Sequence, residues 1–223
     1  MKKSLINLCA AILVFTYAAV GRAQTNAVPK FEMLKSERVD VGRVKRLKMW
    51  VSVPDGLTTS QVARVMALAI HANADMHAIS VFVLRDGERP GLWPYTVGVC
   101  DWAPHGDWSR SREGLRDPLR ETYTVDTDLR ERYFSGVPRP TLYGLSAREV
   151  AEIASEWFAE ANYEEAVVFE SSKTPVRNMR DIAEKRATAT VAARRKLTAA
   201  QVREIFSAYN SDALRCVNPR MND

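Results

Sequence analysis

The sequence predicts an α+β protein, in which helices pack on one face of a mixed β-sheet. Two observations lead to this fold class. A pattern typical of helix starts, L-[ST]-x-x-[QE]-V, occurs three times among the 223 residues. Short apolar stretches bounded by turn residues lie before and after the first of these helices, as strands do.

The three helix starts share one design. They lie at Leu57–Val62, Leu145–Val150 and Leu197–Val202. In each, a Ser or Thr hydroxyl caps the helix, a Gln or Glu three residues later reaches back to the cap, and the flanking Leu and Val form a hydrophobic staple. Apolar residues then recur at helical spacing, namely Val62, Val65, Met66, Ala69 and Ile70, then Val150, Ile153, Ala154, Trp157 and Phe158, then Val202, Ile205, Phe206 and Tyr209.

Strands are predicted around the first helix and after it. Leu47–Val53 alternates between apolar and polar residues, and with Ala78–Leu84 it encloses the helix in a β-α-β unit. The turn-rich stretch 85–91 then leads into a strand over Tyr95–Trp102, so that the sheet contains both parallel and antiparallel pairs. Glu121–Leu129 alternates well enough for a further strand.

The second half partly repeats this order. Its helix start lies 88 residues after the first one, and Ala166–Phe169 has the composition of a strand. Two related helix-strand units that arose by duplication are one interpretation, and two similar helix caps are the other. A long Arg-rich helix from Thr174-Pro175 to about Lys196 and a C-terminal helix complete the chain.

The predicted organisation therefore has four parts. Residues 1–23 form a signal peptide and 24–40 a flexible lead. Residues 41–110 form a β-α-β-β unit, and 111–223 form a second α+β unit with C-terminal helices, which can pack with the first unit as a single domain.

The first 23 residues have the features of a secretory signal peptide. Lys2-Lys3 precede an apolar run from Leu5 to Val20, and Gly21-Arg22-Ala23 places small residues where signal peptidase cleaves. We expect the mature chain to be periplasmic or secreted in a bacterial cell. A retained membrane anchor is the alternative, although the run is shorter than the roughly 20 residues of a spanning helix.

Charge and cysteine content narrow the classes of partner. The formal charge of +5 falls to +2 once the three cations of the signal peptide leave, a balance that does not favour nucleic acid. In an oxidising compartment Cys100 and Cys216 are able to form a disulfide, and two unpaired buried thiols are the alternative. We predict no cofactor and no membrane span after cleavage.

The histidines offer only a weak metal site. His71, His77 and His105 all fall within 35 residues, and His71 and His77 with a nearby carboxylate could bind zinc. Their spacing matches no standard ligand pattern, and histidines at a helix end or on the surface are the simpler interpretation. No nucleophile motif and no glycine-rich phosphate loop occurs, so no catalytic residue is predicted.

The stretch 93–108 is the best candidate binding surface because aromatic and polar residues crowd it. Its members are Trp93, Tyr95, Trp102, His105, Asp107 and Trp108. The rings could offer a stacking surface for a sugar, a peptide or a partner protein. They could equally fill the core of the sheet, and strand alternation places Tyr95 and Trp102 on opposite faces.

The same region resembles a small bacterial family of unknown function. The resemblance rests on Asp75–Phe82, on Tyr95-Thr96-Val97-Gly98 and on Trp102-Ala103-Pro104-His105-Gly106-Asp107-Trp108. It covers roughly residues 45–108 and agrees with the β-α-β-β order. It implies no activity, ligand or catalytic residue.

We therefore predict an exported α+β protein that acts by binding an envelope protein or a small ligand. A small metal-assisted hydrolase is one alternative. A structural or assembly subunit of an envelope machine is another.

Overall fold

A five-stranded mixed sheet forms the N-terminal part of the protein. The computed structural model describes residues 29–171 and 176–217. The strands are β1 (Glu32–Arg38), β2 (Arg46–Val53), β3 (Ala78–Arg85), β4 (Gly98–Pro104) and β5 (Tyr123–Leu129), and they lie side by side in chain order. β2 and β3 are parallel and the other pairs are antiparallel. The α+β class and the mixed sheet are thereby confirmed.

Helices make up most of the rest of the described chain. They are α1 (Thr59–His71), the single turn α2 (Glu131–Phe134), α3 (Ala147–Ser171), α4 (Val176–Arg195) and α5 (Ala199–Val217), with a 3₁₀ helix over Trp108–Arg116 between β4 and β5. The predicted capping boxes form at Thr58, Ser146 and Thr198, each with the side chain three residues on. No helix within the described residues is long and apolar enough to cross a membrane.

The apolar residues form two separate cores. α1 packs on one face of the sheet, where Met49, Val51, Val81 and Val83 are essentially fully buried. The second core lies among α3, α4 and α5, and no residue of the five strands belongs to it. The helices therefore do not all share one face of the sheet as predicted, because the C-terminal three bury their apolar stripes against one another.

Two predicted segments differ from the structure. Part of the expected flexible lead, 24–40, is the strand β1, whose backbone pairs with β2 although most of its side chains are exposed. The expected strand Ala166–Phe169 is the end of α3, so the described residues of the second half contain no helix-strand unit. The duplication hypothesis loses its structural support. Residues 24–28 and the predicted signal peptide lie outside the described residues.

The connection between β3 and β4 joins the two cores. Leu92 and Trp93 in this connection pack against the helical core. At its start, Arg85 Nε donates to Glu88 Oε1 over 3.0 Å and Arg85 Nη1 donates to Asp212 Oδ2 of α5 over 2.7 Å. Arg132 also donates to Asp212, over 2.8 Å. Buried ion pairs thus link the sheet to the last helix.

The carboxylates of this network are almost inaccessible to water. The Glu88 side chain is 1% exposed and the Asp212 side chain 9% exposed. Burial alone would raise the pKa of Asp212, but Arg85 and Arg132 outweigh it and the pKa is lowered. Burial and the nearby Glu88 raise the pKa of Tyr209 on α5 well above its usual value. The pKa values of these α5 side chains therefore depend on Arg85 and Glu88, which lie at the start of the β3–β4 connection.

Cys100 is a free, buried thiol in the sheet core. The disulfide with Cys216 is not formed, since β4 places this thiol beneath α1; the Cys216 side chain lies outside the described part. Burial raises the pKa of Cys100 to about 12, with a smaller effect from Asp101. The thiolate, which is the reactive form, is therefore suppressed at neutral pH.

Candidate binding cleft

The structure places the predicted aromatic residues in three different surroundings. Trp93 packs against the helical core. Tyr95 lies on the sheet face opposite α1, 6.4 Å from Phe82 between ring centroids. Trp102 packs against the sheet core and lies 4.6 Å from the ring of Tyr123. These rings do not form one stacking surface.

The polar members of the predicted set belong to the turn after β4. His105 Nε2 lies 3.6 Å from Glu113 Oε2. The Asp107 side chain caps the 3₁₀ helix by accepting from the Ser109 N–H over 2.8 Å. The guanidinium carbon of Arg46 lies over Trp108, 5.5 Å from the centroid of the Trp108 ring. Each side chain has a local partner that holds this turn in place.

The row of rings on the sheet face opposite α1 is not a stacking platform either. Trp50 and Phe82 stack on each other at 5.1 Å, and Tyr95 follows Phe82. Lys35 Nζ lies 5.0 Å from the Trp50 ring, and the Arg130 guanidinium lies 4.3 Å from the Tyr95 ring. Because the ring faces are occupied by one another or by cations, a ligand would meet mainly their edges.

The histidines do not converge. His71 is exposed at the end of α1, whereas His77 precedes β3 and accepts a hydrogen bond from the Lys45 N–H at Nδ1 over 2.9 Å. Within the residues that the structure describes, no group of three His, Cys, Asp or Glu side chains is arranged to hold a metal ion.

We expect His77 to make the protein less stable as the pH falls below about 6.5. Burial, and then the charges of Arg120 and Lys45, lower its pKa. The unfolded chain therefore binds a proton at a higher pH than the folded protein does, so the stabilisation present above pH 6.5 is lost on acidification. Urea unfolding measures the free energy of unfolding at pH 7.5 and at pH 5.5. The decrease between the two pH values should be smaller for His77→Asn than for the wild type. An equal loss in both proteins would contradict this assignment.

A cleft of about 560 Å³ lies where α3, α4 and α5 meet the β3–β4 connection. Its apolar walls are Trp93, Trp157, Phe158 and Phe206. The rings of Trp157 and Phe206 lie 4.0 Å apart, and the Trp157 indole N–H donates to Thr188 Oγ1 over 2.9 Å. These contacts fix the central wall of the cleft.

The charges around the cleft balance. Three cations, Arg180, Lys185 and Arg203, face three acids, Glu165, Asp181 and Glu184. Arg180 and Glu184 pair with each other over 3.0 Å. The cleft therefore offers apolar walls and a polar rim without a net charge that would select a strongly anionic or cationic ligand.

A second hollow of about 780 Å³ adjoins the cleft and extends it towards Arg89 and Arg194. Leu92, Phe158 and Asn162 line both spaces. Together they form a groove beneath the β3–β4 connection.

Sequence reasoning identified only Trp93 among the aromatic walls as a site residue. Trp157, Phe158 and Phe206 belong to the predicted apolar stripes of their helices, a pattern that indicates burial in the core and not a binding site. Trp157 and Phe206 are far apart in the chain, so only the packing of α3 against α5 brings them together. The one sequence feature that could have indicated the cleft is the wide apolar stripe on α3.

No family model, curated protein or solved structure matches this chain. The resemblance over residues 45–108 therefore stays a prediction, and the function rests on the geometry of the molecule.

Proposed function

We propose that the protein is an exported binding protein of the bacterial envelope, and that its ligand is a small, largely apolar molecule held in the cleft among α3, α4 and α5. The observation that carries the proposal is the aromatic lining of a space of about 560 Å³. Ligand pockets are typically of this size, with apolar walls and a few polar groups that orient the ligand. The features of the first 23 residues support export.

The balanced rim charges favour an uncharged or zwitterionic ligand. A strongly anionic ligand would meet Glu165 and Asp181, and a strongly cationic one would meet Lys185 and Arg203. None of these four side chains forms an ion pair with another described residue. Polar groups at the end of an apolar ligand could pair with these rim charges.

Asn162→Trp should obstruct the cleft. Asn162 is an exposed residue that lines both parts of the groove, so a bulky ring there occupies ligand space without entering the core. We expect the uncharged fluorophore N-phenyl-1-naphthylamine to bind the wild type saturably. Asn162→Trp should weaken that binding at least tenfold, measured as the probe's fluorescence increase with excitation beyond tryptophan absorption.

The matched control is Tyr163→Trp, which adds the same ring at the next position of α3. Tyr163 is 64% exposed and does not line the cleft, so this variant should bind the fluorophore as the wild type does. Equal binding by wild type and Asn162→Trp would overturn the assignment of the cleft. So would the absence of saturable binding to the wild type.

A further inference from the structure

β5 is an edge strand with an open side. No strand of residues 29–171 or 176–217 pairs with it except β4. Thr122 accepts from the His105 N–H over 2.7 Å, and the Arg130 N–H donates to Val97 over 2.9 Å. The main-chain N–H and C=O groups of an antiparallel strand point alternately to either side. In β5 those of the even-numbered residues therefore point towards β4, and those of the odd-numbered residues point away from the sheet.

The outward residues leave main-chain groups available for pairing. Val125 and Thr127 lie in the middle of β5, and both are exposed. The Thr127 N–H donates to the Asp126 carboxylate over 3.0 Å, as expected for a group that points away from β4. A side-chain acceptor of this kind can be exchanged for the carbonyl of an added strand.

The opposite edge of the sheet lacks these properties. β1 carries a register shift between Met33 and Lys35, a bulge of the kind that blunts an edge strand. Its charges are also neutralised locally, since Lys35 pairs with Glu37 over 2.7 Å. β5, in contrast, keeps an unbroken seven-residue register with β4 and contains no proline.

The charge beside β5 indicates what could pair with it. Asp126 lies directly opposite Asp101 on β4, and neither carboxylate forms an ion pair with another described residue. Burial, and then the charges of Asp126 and Asp107, raise the pKa of Asp101, although Ser80 donates a hydrogen bond to it. Like charges directly opposite each other are unfavourable in a sheet. A cation beside Asp126 would relieve this repulsion.

We propose that β5 accepts an extended, basic segment of a partner protein as a sixth strand, with a Lys or Arg beside Asp126. Main-chain hydrogen bonds to Val125 and Thr127 would supply affinity, and the carboxylates would supply selectivity. A second copy of this chain is a poorer occupant. Antiparallel pairing of two β5 strands about Thr127 would place Asp126 against the Asp128 of the other copy. The proposal is independent of the cleft.

Two peptides test the proposal with the ¹⁵N-labelled mature protein. We expect the acetylated and amidated peptide Thr-Lys-Val-Lys-Thr-Lys-Val to shift the amide resonances of Val125 and Thr127, with an affinity that weakens as salt is added. The acidic analogue with Glu in place of Lys should bind at least tenfold more weakly. Equal shifts with both peptides, or shifts that avoid β5, would overturn the proposal.

Thr127→Pro distinguishes strand addition from general attraction of a cationic peptide. Proline removes an N–H that points outward, so β4–β5 pairing should remain while peptide binding falls at least tenfold. Thr127→Val keeps the N–H and should bind within twofold of the wild type. Unchanged binding by Thr127→Pro would contradict the proposal.

Asp126→Lys gives a test that does not depend on proline. This variant should reverse the preference, so that the acidic peptide binds more tightly than the basic one. A variant that still prefers the basic peptide would overturn the assigned role of Asp126.

Discussion

Replacing Asp212 with alanine is expected to lower the free energy of unfolding by about 3–5 kcal/mol, because it leaves two cations at the interface without their shared partner. Arg85 donates to one oxygen of this carboxylate and Arg132 to the other. The Arg85 side chain is only 4% exposed, so water cannot replace the lost interaction without rearrangement. Guanidinium chloride unfolding of the variant and the wild type, followed by far-ultraviolet circular dichroism, measures the change.

The matched control removes an exposed arginine at the same interface, together with its ion pairs to Asp86 and Glu152. Arg148 on α3 lies 3.2 Å from Asp86, next to Arg85 in the chain, and its side chain is 54% exposed. Arg148→Ala should cost less than about 1 kcal/mol, as exposed pairs do. If the two variants were equally destabilised, the buried network would have no special role in joining the sheet to α5.

Gly87→Ala is expected to destabilise the protein by about 2–4 kcal/mol, from backbone strain and from a steric clash. Gly87 has a φ of 86°, in the left-handed region that side chains disfavour. A Cβ at this position would also lie 2.5 Å from the main-chain oxygen of Arg148, in the first turn of α3. That oxygen belongs to a capped helix and cannot shift alone. The turn that contains Gly87 and the start of α3 must therefore move apart.

Gly56→Ala separates the two effects. Gly56 has a similar φ of 81°, but a Cβ there would meet nothing within 4 Å. Its substitution should cost only the backbone strain of about 1–2 kcal/mol. Thermal unfolding of both variants should therefore give a clearly lower melting temperature for Gly87→Ala. Equal melting temperatures would show that the turn and α3 separate without cost.

Local sequence signals predicted the helices well. The three capping boxes need only residues within one turn of helix, so their pattern is complete in the sequence. The β-α-β unit was predictable for a similar reason. Alternation along Leu47–Val53 and the helical spacing after Thr58 report which side of each element is buried.

The errors occurred where stability comes from distant partners. β1 shows no clear apolar alternation because both of its sides are largely exposed, and its pairing with β2 holds it in place. Val167 and Val168 resemble a strand locally, yet α3 continues through them, and Val168 is buried there. Tertiary packing overrides the local preference of β-branched residues there.

The candidate binding cleft was harder to predict than the fold. Crowding in sequence suggested that residues 93–108 act together, but the chain crosses from the helical core to the sheet within this stretch. The buried ion pairs between the sheet and α5 were unpredictable for the same reason, since 127 positions separate Arg85 from Asp212. No local pattern links residues so far apart.

The connection between β3 and β4 also determines the stage of synthesis at which the molecule can be completed. Arg85 and Glu88 emerge long before Asp212, which lies in the last helix, and chains acquire structure from the N-terminus as they appear. Until α5 arrives, Arg85 lacks one of its carboxylate partners and Trp93 lacks the helices that shelter it. A truncated chain that ends before α5 would therefore keep an open interface, available to proteases and chaperones. The interface between this connection and the helical core is therefore completed only after α5 has been synthesised.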